Sequence, residues 1–216
     1  MRLPPLLKKR ELTVPTVWGW LALLLLSSVV LFSALRFSHS FLAITRPVGG
    51  GIMVIEGWIP DDALKAATEY FQRESYSTIV VTGGPLESGS FLKEYADYSK
   101  LGAATLRKLG VPDSSLISVP APYVSRDRTL TSAMVFKHWL DSTGYKCTKL
   151  DLYSFDAHSR RSAMLFRRAL GKEVRVGVVA LPDFSYDSRN WWKTSSGFRM
   201  VVGEMIAYVY AFLIRF

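Results

Sequence analysis

The sequence predicts a Rossmann-like α/β domain, three layers around a mostly parallel sheet, preceded by one N-terminal transmembrane helix. Three observations carry this expectation. An uncharged apolar run extends from Val14 to Leu35 and follows the cluster Lys8, Lys9, Arg10. Beyond it, short Val/Ile-rich runs alternate with longer segments of helical periodicity. Polar, basic and aromatic residues gather in the stretches that follow those short runs.

Residues 1–13 form a basic tail and residues 14–35 the predicted span. At about 1.5 Å per residue the span reaches roughly 33 Å as a helix, enough for a hydrocarbon core of about 30 Å. A cleavable signal peptide would carry a shorter apolar region of about 7 to 15 residues ending at a small-residue site. Here Arg36, Phe37 and His39 follow instead. Arg2, Lys8, Lys9 and Arg10 precede the span and Arg36 is the nearest basic residue after it, so the positive-inside rule puts the N-terminus in the cytoplasm. The expectation is a single-pass protein of the plasma (inner) membrane with its domain outside. Residues 36–51 read as a linker, because Arg46-Pro47 and three consecutive glycines from Gly49 cannot sustain a helix. A hinge or spacer is expected there, and residues 52–216 form the domain.

The formal net charge is +9. Six of the Lys and Arg residues and one acid fall in residues 1–46, so the remainder carries only +4, too little to argue for nucleic acid. The single cysteine, Cys147, has no partner for an intramolecular disulfide.

Within the domain the strand-like runs are Ile52 to Glu56, Thr78 to Thr82, Leu116 to Val119, Lys149 to Ser154 and Val174 to Ala180. Their near-continuous hydrophobicity suits strands covered on both faces. Between them, apolar stripes predict helices: Leu64, Ala67 and Phe71 after Asp61 and Asp62; Tyr95, Tyr98, Gly102, Leu106 and Leu109; Leu130, Ala133, Met134 and Leu140; Ser162, Ala163, Phe166 and Leu170. Strand and helix in alternation imply right-handed crossovers and parallel pairing. The last segment, Met200 to Ile214, is apolar except for Glu204. As a helix it reaches only about 22 Å, short for a span and burdened with a carboxylate, so it reads as a packed terminal helix.

Ligands of open parallel sheets bind outside the carboxyl ends of the strands. Five loops lie there. Gly83 and Gly84 allow close approach of backbone amides to a ligand. His158 and Arg161, three residues apart at a helix start, share one side where an anion is favoured. Arg126, Arg128 and Arg189 fall in neighbouring loops of the same edge. In the alternative, His158 packs against the sheet and Arg161 pairs with an acid such as Asp156. The chain has no G-x-S-x-G, no G-x-G-x-x-G and no Walker lysine, and His39, His138 and His158 are too scattered to announce a metal site. His158 with Asp156 or Glu56 suits an acid/base role. Trp58, Trp191 and Trp192 suit stacking on a ligand or, equally, packing.

These motifs together resemble one family. VVTGG at a strand end, LRKLGVP at a helix end, R-T-x-x-S-A at a helix start and H-S-R-R-S after a strand are similar to the YdcF/SanA/ElyC-like family of bacterial envelope proteins. The resemblance covers roughly residues 52–216 and implies an anchored, outward, Rossmann-like domain linked to cell-envelope integrity and peptidoglycan or lipid-carrier metabolism. Residue by residue it implies a site at Gly83, Gly84, Thr129, His158 and Arg161. Arg128, Thr131 and Ser132 stand where the family usually has Asn, Glu and Asn.

Residues and resemblance together lead to one expectation: an envelope-biogenesis factor that binds an anionic, lipid-linked or phosphate-bearing small molecule through Gly83, Gly84, Arg126, Arg128, Thr129, His158 and Arg161. A hydrolase or transferase using His158 as acid/base is the alternative, and a structural partner of another membrane protein, docking through Trp191, Trp192 and the last helix, a third. No cofactor is specified by the sequence.

Overall fold

The computed structural model describes residues 13–86 and 94–214, and the chain divides into two units, Met1–Phe37 and Ser38–Phe216. The basic tail, residues 1–13, lies outside the described residues apart from Thr13. The first unit carries most of helix α1, Val17–Leu42, whose apolar window has mean hydropathy 2.1 with none of it buried, so it is long and apolar enough to cross a membrane. The helix outlasts the apolar run. Arg36, Ser38, His39 and Ser40 end the hydrophobicity without breaking the backbone pattern, and helix persists to Leu42, so the linker expected from residue 36 begins only after it.

The second unit holds five strands: β1 (Gly51–Glu56), β2 (Tyr76–Gly83), β3 (Leu116–Pro120), β4 (Lys149–Phe155) and β5 (Arg175–Leu181). They pair in the order β3-β2-β1-β4-β5, every pair parallel. All five fall within two residues of the runs expected from sequence. Helices α2 (Asp61–Arg73), α3 (Tyr98–Lys108), α4 (Arg128–Thr143), α5 (Ser159–Leu170) and α6 (Ser195–Leu213) complete the domain. One core cluster joins α2 and α3 to the sheet through Leu64, Ala67, Leu106, Ile55 and Val81. The other joins α4 and α5 through Phe136, Phe166, Val54, Val80 and Leu152. The fold is the three-layer α/β arrangement expected.

Two details depart from expectation. In α4 the buried stripe is Ala133, Phe136 and Leu140, whereas Met134 is 58% exposed. The glycine-rich stretch after α1 is no spacer. Arg46 exchanges both backbone hydrogen bonds with Val178, and Val48 and Gly49 donate their amides to the carboxylate of Asp151 at 2.7 and 2.8 Å. Asp151 is fully buried in β4, and these bonds with the Tyr76 hydroxyl at 2.8 Å compensate its charge. A Cβ on Gly177 would lie 1.9 Å from Asp151 Oδ1, so that position excludes a side chain.

Residues Ser38–Thr45 are likewise stitched to the start of α5. The Ser159 hydroxyl donates to Leu42 O at 3.2 Å and accepts from Ile44 N at 2.9 Å, and the Arg160 guanidinium donates to Phe41 O and lies over the Phe41 ring. Helix α6 packs on α5 and on the turn 188–193 that precedes it, and Gly197, Val201 and Ala211 are buried. It is also long and apolar enough to cross a membrane, yet its single acid is committed to the domain, as described next.

Candidate functional site at the carboxyl edge of the sheet

The strand faces follow a parity that generates the site. Val54 in β1, Val80 in β2 and Leu152 in β4 point into the α4–α5 core, so Glu56, Thr82 and Ser154, two residues further on, continue the same inward rows at the carboxyl end. All three are buried. Hydrophobic rows thus end in polar groups under the N-termini of α4 and α5.

The starts of these two helices share a second property. Among the described residues, the two non-glycine positions with positive φ are Asp127 (59°), just before α4, and Asp156 (41°), between β4 and α5. Such backbone is sparsely populated for residues with a Cβ and is retained where the surroundings enforce it. Asp156 accepts from the Tyr186 hydroxyl and lies 2.9 Å from His39 Nε2, which holds the turn carrying His158 in place. It does not pair with Arg161.

His158 is 6% exposed and central. Its Nδ1 lies 2.9 Å from Glu204 Oε1, and Arg161 reaches the same carboxylate from Nε at 2.8 Å and from a terminal nitrogen at 3.0 Å. The 2.9 Å approach of that nitrogen to His158 Nδ1 brings two donors together, which is accommodated because both donate to Glu204 Oε1. His158 Nε2 has only long contacts, 3.4 Å to Thr129 Oγ1 and 3.6 Å to Glu56 Oε1. Glu56 in turn accepts from the hydroxyls of Ser154 and Ser162. Trp58 stands edge-on to the imidazole at 5.0 Å.

Burial alone would lower the His158 pKa, but the charges and hydrogen bonds of Glu56 and Glu204 outweigh it and raise it to about 9. Burial would raise Glu204, and its bonds to His158 and Arg161 instead bring it down to about 2. Burial opposes ionisation of Glu56 as well, yet His158, Ser154 and Ser162 hold it below the ordinary carboxylate value. The result at neutral pH is a buried quartet of two cations and two anions. His158 is charged there, which makes it a donor or general acid rather than a base.

A cavity of about 580 Å³ opens over this quartet, and all seven expected residues line it. Gly83, Gly84, Thr129, His158 and Arg161 share its walls, with Arg126 exposed in the β3–α4 loop and Arg128 exposed at the first position of α4. Arg189 does not line it; it lies exposed on the 3-10 turn Ser188–Lys193. Trp191, expected as a docking or stacking residue, is 1% exposed and packs against Trp192 and Phe198.

The glycine pair splits into two roles. A Cβ on Gly83 would lie 2.7 Å from Tyr98 Cβ and 3.1 Å from Ser99 N, so Gly83 lets the start of α3 pack on β2. Gly84 has no neighbour closer than 3.8 Å to such a Cβ, and it is the one with room on the cavity side. Neither has a positive φ. Gly83 is thus required by close packing against the start of α3.

Sequence reasoning missed Glu204 and Thr82. Glu204 was visible as the sole charge in the Met200–Ile214 stretch. Thr82 was visible as a polar end to an inward row.

No family model matches the chain, and no curated protein matches it. Two solved structures are similar: pantothenate synthetase from Thermus thermophilus, at 16% identity, and a second structure described as pantoate-beta-alanine (pantothenate synthetase) from the same organism, at 17%. Each similarity covers 76% of this chain and 69% of the other, with a TM-score of 0.35, a likeness too slight to bear on activity.

Proposed function

We propose that this protein is a single-pass membrane-anchored factor of the cell envelope whose outward domain binds a phosphate-bearing small molecule in the cavity over His158. The observation that carries the reading is a cavity lined by Arg126, Arg128 and Arg161 beside His158, whose Nε2 lies 3.4 Å from Thr129 Oγ1 and 3.6 Å from Glu56 Oε1 and whose protonated form Glu56 and Glu204 favour. Glu204 and Glu56 keep that proton in place, and neutral ligands would gain little from it. Anchoring is supported by the apolar α1, and the outward orientation by the basic residues before it. The resemblance to YdcF/SanA/ElyC-like proteins supports an envelope role.

Calorimetric titration of the full chain in detergent micelles with a soluble alkyl phosphate tests this reading. Saturable binding that weakens at least tenfold in His158→Gln supports it, and absence of binding by the unaltered protein refutes it. A second reading is favoured by one feature, the imidazolium between two carboxylates: His158 would act as general acid on a leaving oxygen of the same ligand, making the protein a hydrolase or transferase. Product release that depends on His158 separates this from binding alone.

A further inference from the structure

The quartet at His158 raises a question of charge. Glu204 and Glu56 already neutralise Arg161 and His158, so the pair singled out by sequence is not by itself the strongest place for a doubly charged phosphoryl group. The opposite wall of the same cavity is different.

There, α4 begins at Arg128 with no side-chain cap. Asp127 occupies the N-cap position in the left-handed region, and its carbonyl accepts from Thr131 N while its carboxylate does not turn back onto the helix start. The Asp127 side chain therefore does not cap the first turn of this sixteen-residue helix, and Thr129 of that turn lines the cavity. Beneath that turn is Thr82, 1% exposed, on the inward row of β2 that packs under α4. Thr82 Oγ1 is the buried side-chain polar atom without a hydrogen-bond partner among the described residues, and Thr82 lines the same cavity. An unpaired buried hydroxyl is destabilising, so its persistence calls for a partner absent from the protein itself.

Resting on the phosphate-binding reading above, we infer that the terminal group of a phosphate monoester enters end-on, with one oxygen on Thr82 Oγ1 and others on the first-turn amides of α4. Arg126 and Arg128 stand at the mouth of this subsite and Gly84 beside it. The bridging ester oxygen is then directed toward His158 Nε2, across Thr129 Oγ1. Trp58 and Tyr210 are left to flank the organic part. Monoesters are selected because a diester has no terminal phosphoryl to reach the floor at Thr82.

The test compares the full-length protein with Thr82→Val and Thr82→Ser in micelles, using inorganic phosphate, monobutyl phosphate and dibutyl phosphate as probes. Thr82→Val keeps the shape and loses only the hydroxyl, so its melting temperature without ligand should equal or exceed that of the unaltered protein. The expected result is a loss of monobutyl phosphate affinity of at least tenfold in Thr82→Val, with Thr82→Ser within threefold of the unaltered protein. Dibutyl phosphate should bind at least tenfold more weakly than the monoester to the unaltered protein. With selective ¹⁵N-threonine labelling, the Thr129 amide should shift on addition of inorganic phosphate. Equal affinity of Thr82→Val, or equal binding of monoester and diester, overturns the subsite and leaves the phosphate-binding reading standing. Failure of every phosphate probe to bind the unaltered protein overturns both.

Discussion

Two histidine–carboxylate clusters lie side by side on the chain and have opposite characters. At the first, His39 and Tyr186 both bond Asp156, the rings of His39 and Tyr186 meet edge-on at 6.0 Å, and the cluster contributes nothing to the cavity lining. At the second, two residues later, His158 bonds Glu204 through Nδ1 and leaves Nε2 loosely held against an open cavity. Burial and a carboxylate partner are common to both. What separates them is the cavity: His158, Glu56 and Thr129 line it, whereas His39, Asp156 and Tyr186 do not.

The comparison breaks most readily at Glu204. Glu204→Ala leaves the Arg161 guanidinium and the His158 imidazole without their shared acceptor, and should cost roughly 3–5 kcal/mol in denaturant unfolding. It should also lower the His158 pKa. Glu204→Gln should keep the fold better while still lowering that pKa, which separates packing from charge.

Next in size is pH. The His158 pKa rises on folding from the ordinary 6.5 to about 9, so its contribution to stability is full below 6.5 and is lost as pH climbs through 9. The loss should be on the order of 3 kcal/mol. Glu204 falls from 4.5 to about 2, so its contribution is present above 4.5 and disappears as acid is added down through 2. Unfolding measured against pH should therefore show the quartet at its strongest between these limits, and His158→Gln should flatten the alkaline limb.

Smaller effects sharpen the contrast between framework and site. Tyr186→Phe removes one donor to Asp156 and should cost about 1–3 kcal/mol while leaving phosphate affinity within about twofold. Gly83→Ala forces Cβ onto the start of α3 and should destabilise by roughly 1–3 kcal/mol, whereas Gly84→Ala should change stability by less than about 0.5 kcal/mol.

Much of the framework was legible because parallel strands covered on both faces are written as short continuous Val/Ile runs, and all five were readable as such. The loops at their carboxyl ends then followed from topology, which is why Thr129, His158 and Arg161 were found together. What stayed illegible was pairing at a distance. Glu204 lies 46 positions from His158, and nothing in an apolar helix says which cation its carboxylate will meet. Arg161 consequently read as an anion receptor or as the partner of a nearby acid such as Asp156, whereas its acid is the distant Glu204. The Pro/Gly stretch read as a spacer because composition reports backbone freedom, and only the buried acid Asp151, alone among the inward and outward residues of LDLYSF, hinted that backbone amides would be brought to it.

The claim on which the rest depends is that Glu56 and Glu204 hold a proton on His158 beside the cavity. An NMR titration of the His158 imidazole in the full-length protein, assigned by comparison with His158→Gln, tests it directly. The midpoint should lie near 9 and move toward the ordinary value in Glu204→Gln, and a midpoint at or below 6.5 in the unaltered protein would mean that no such proton is held.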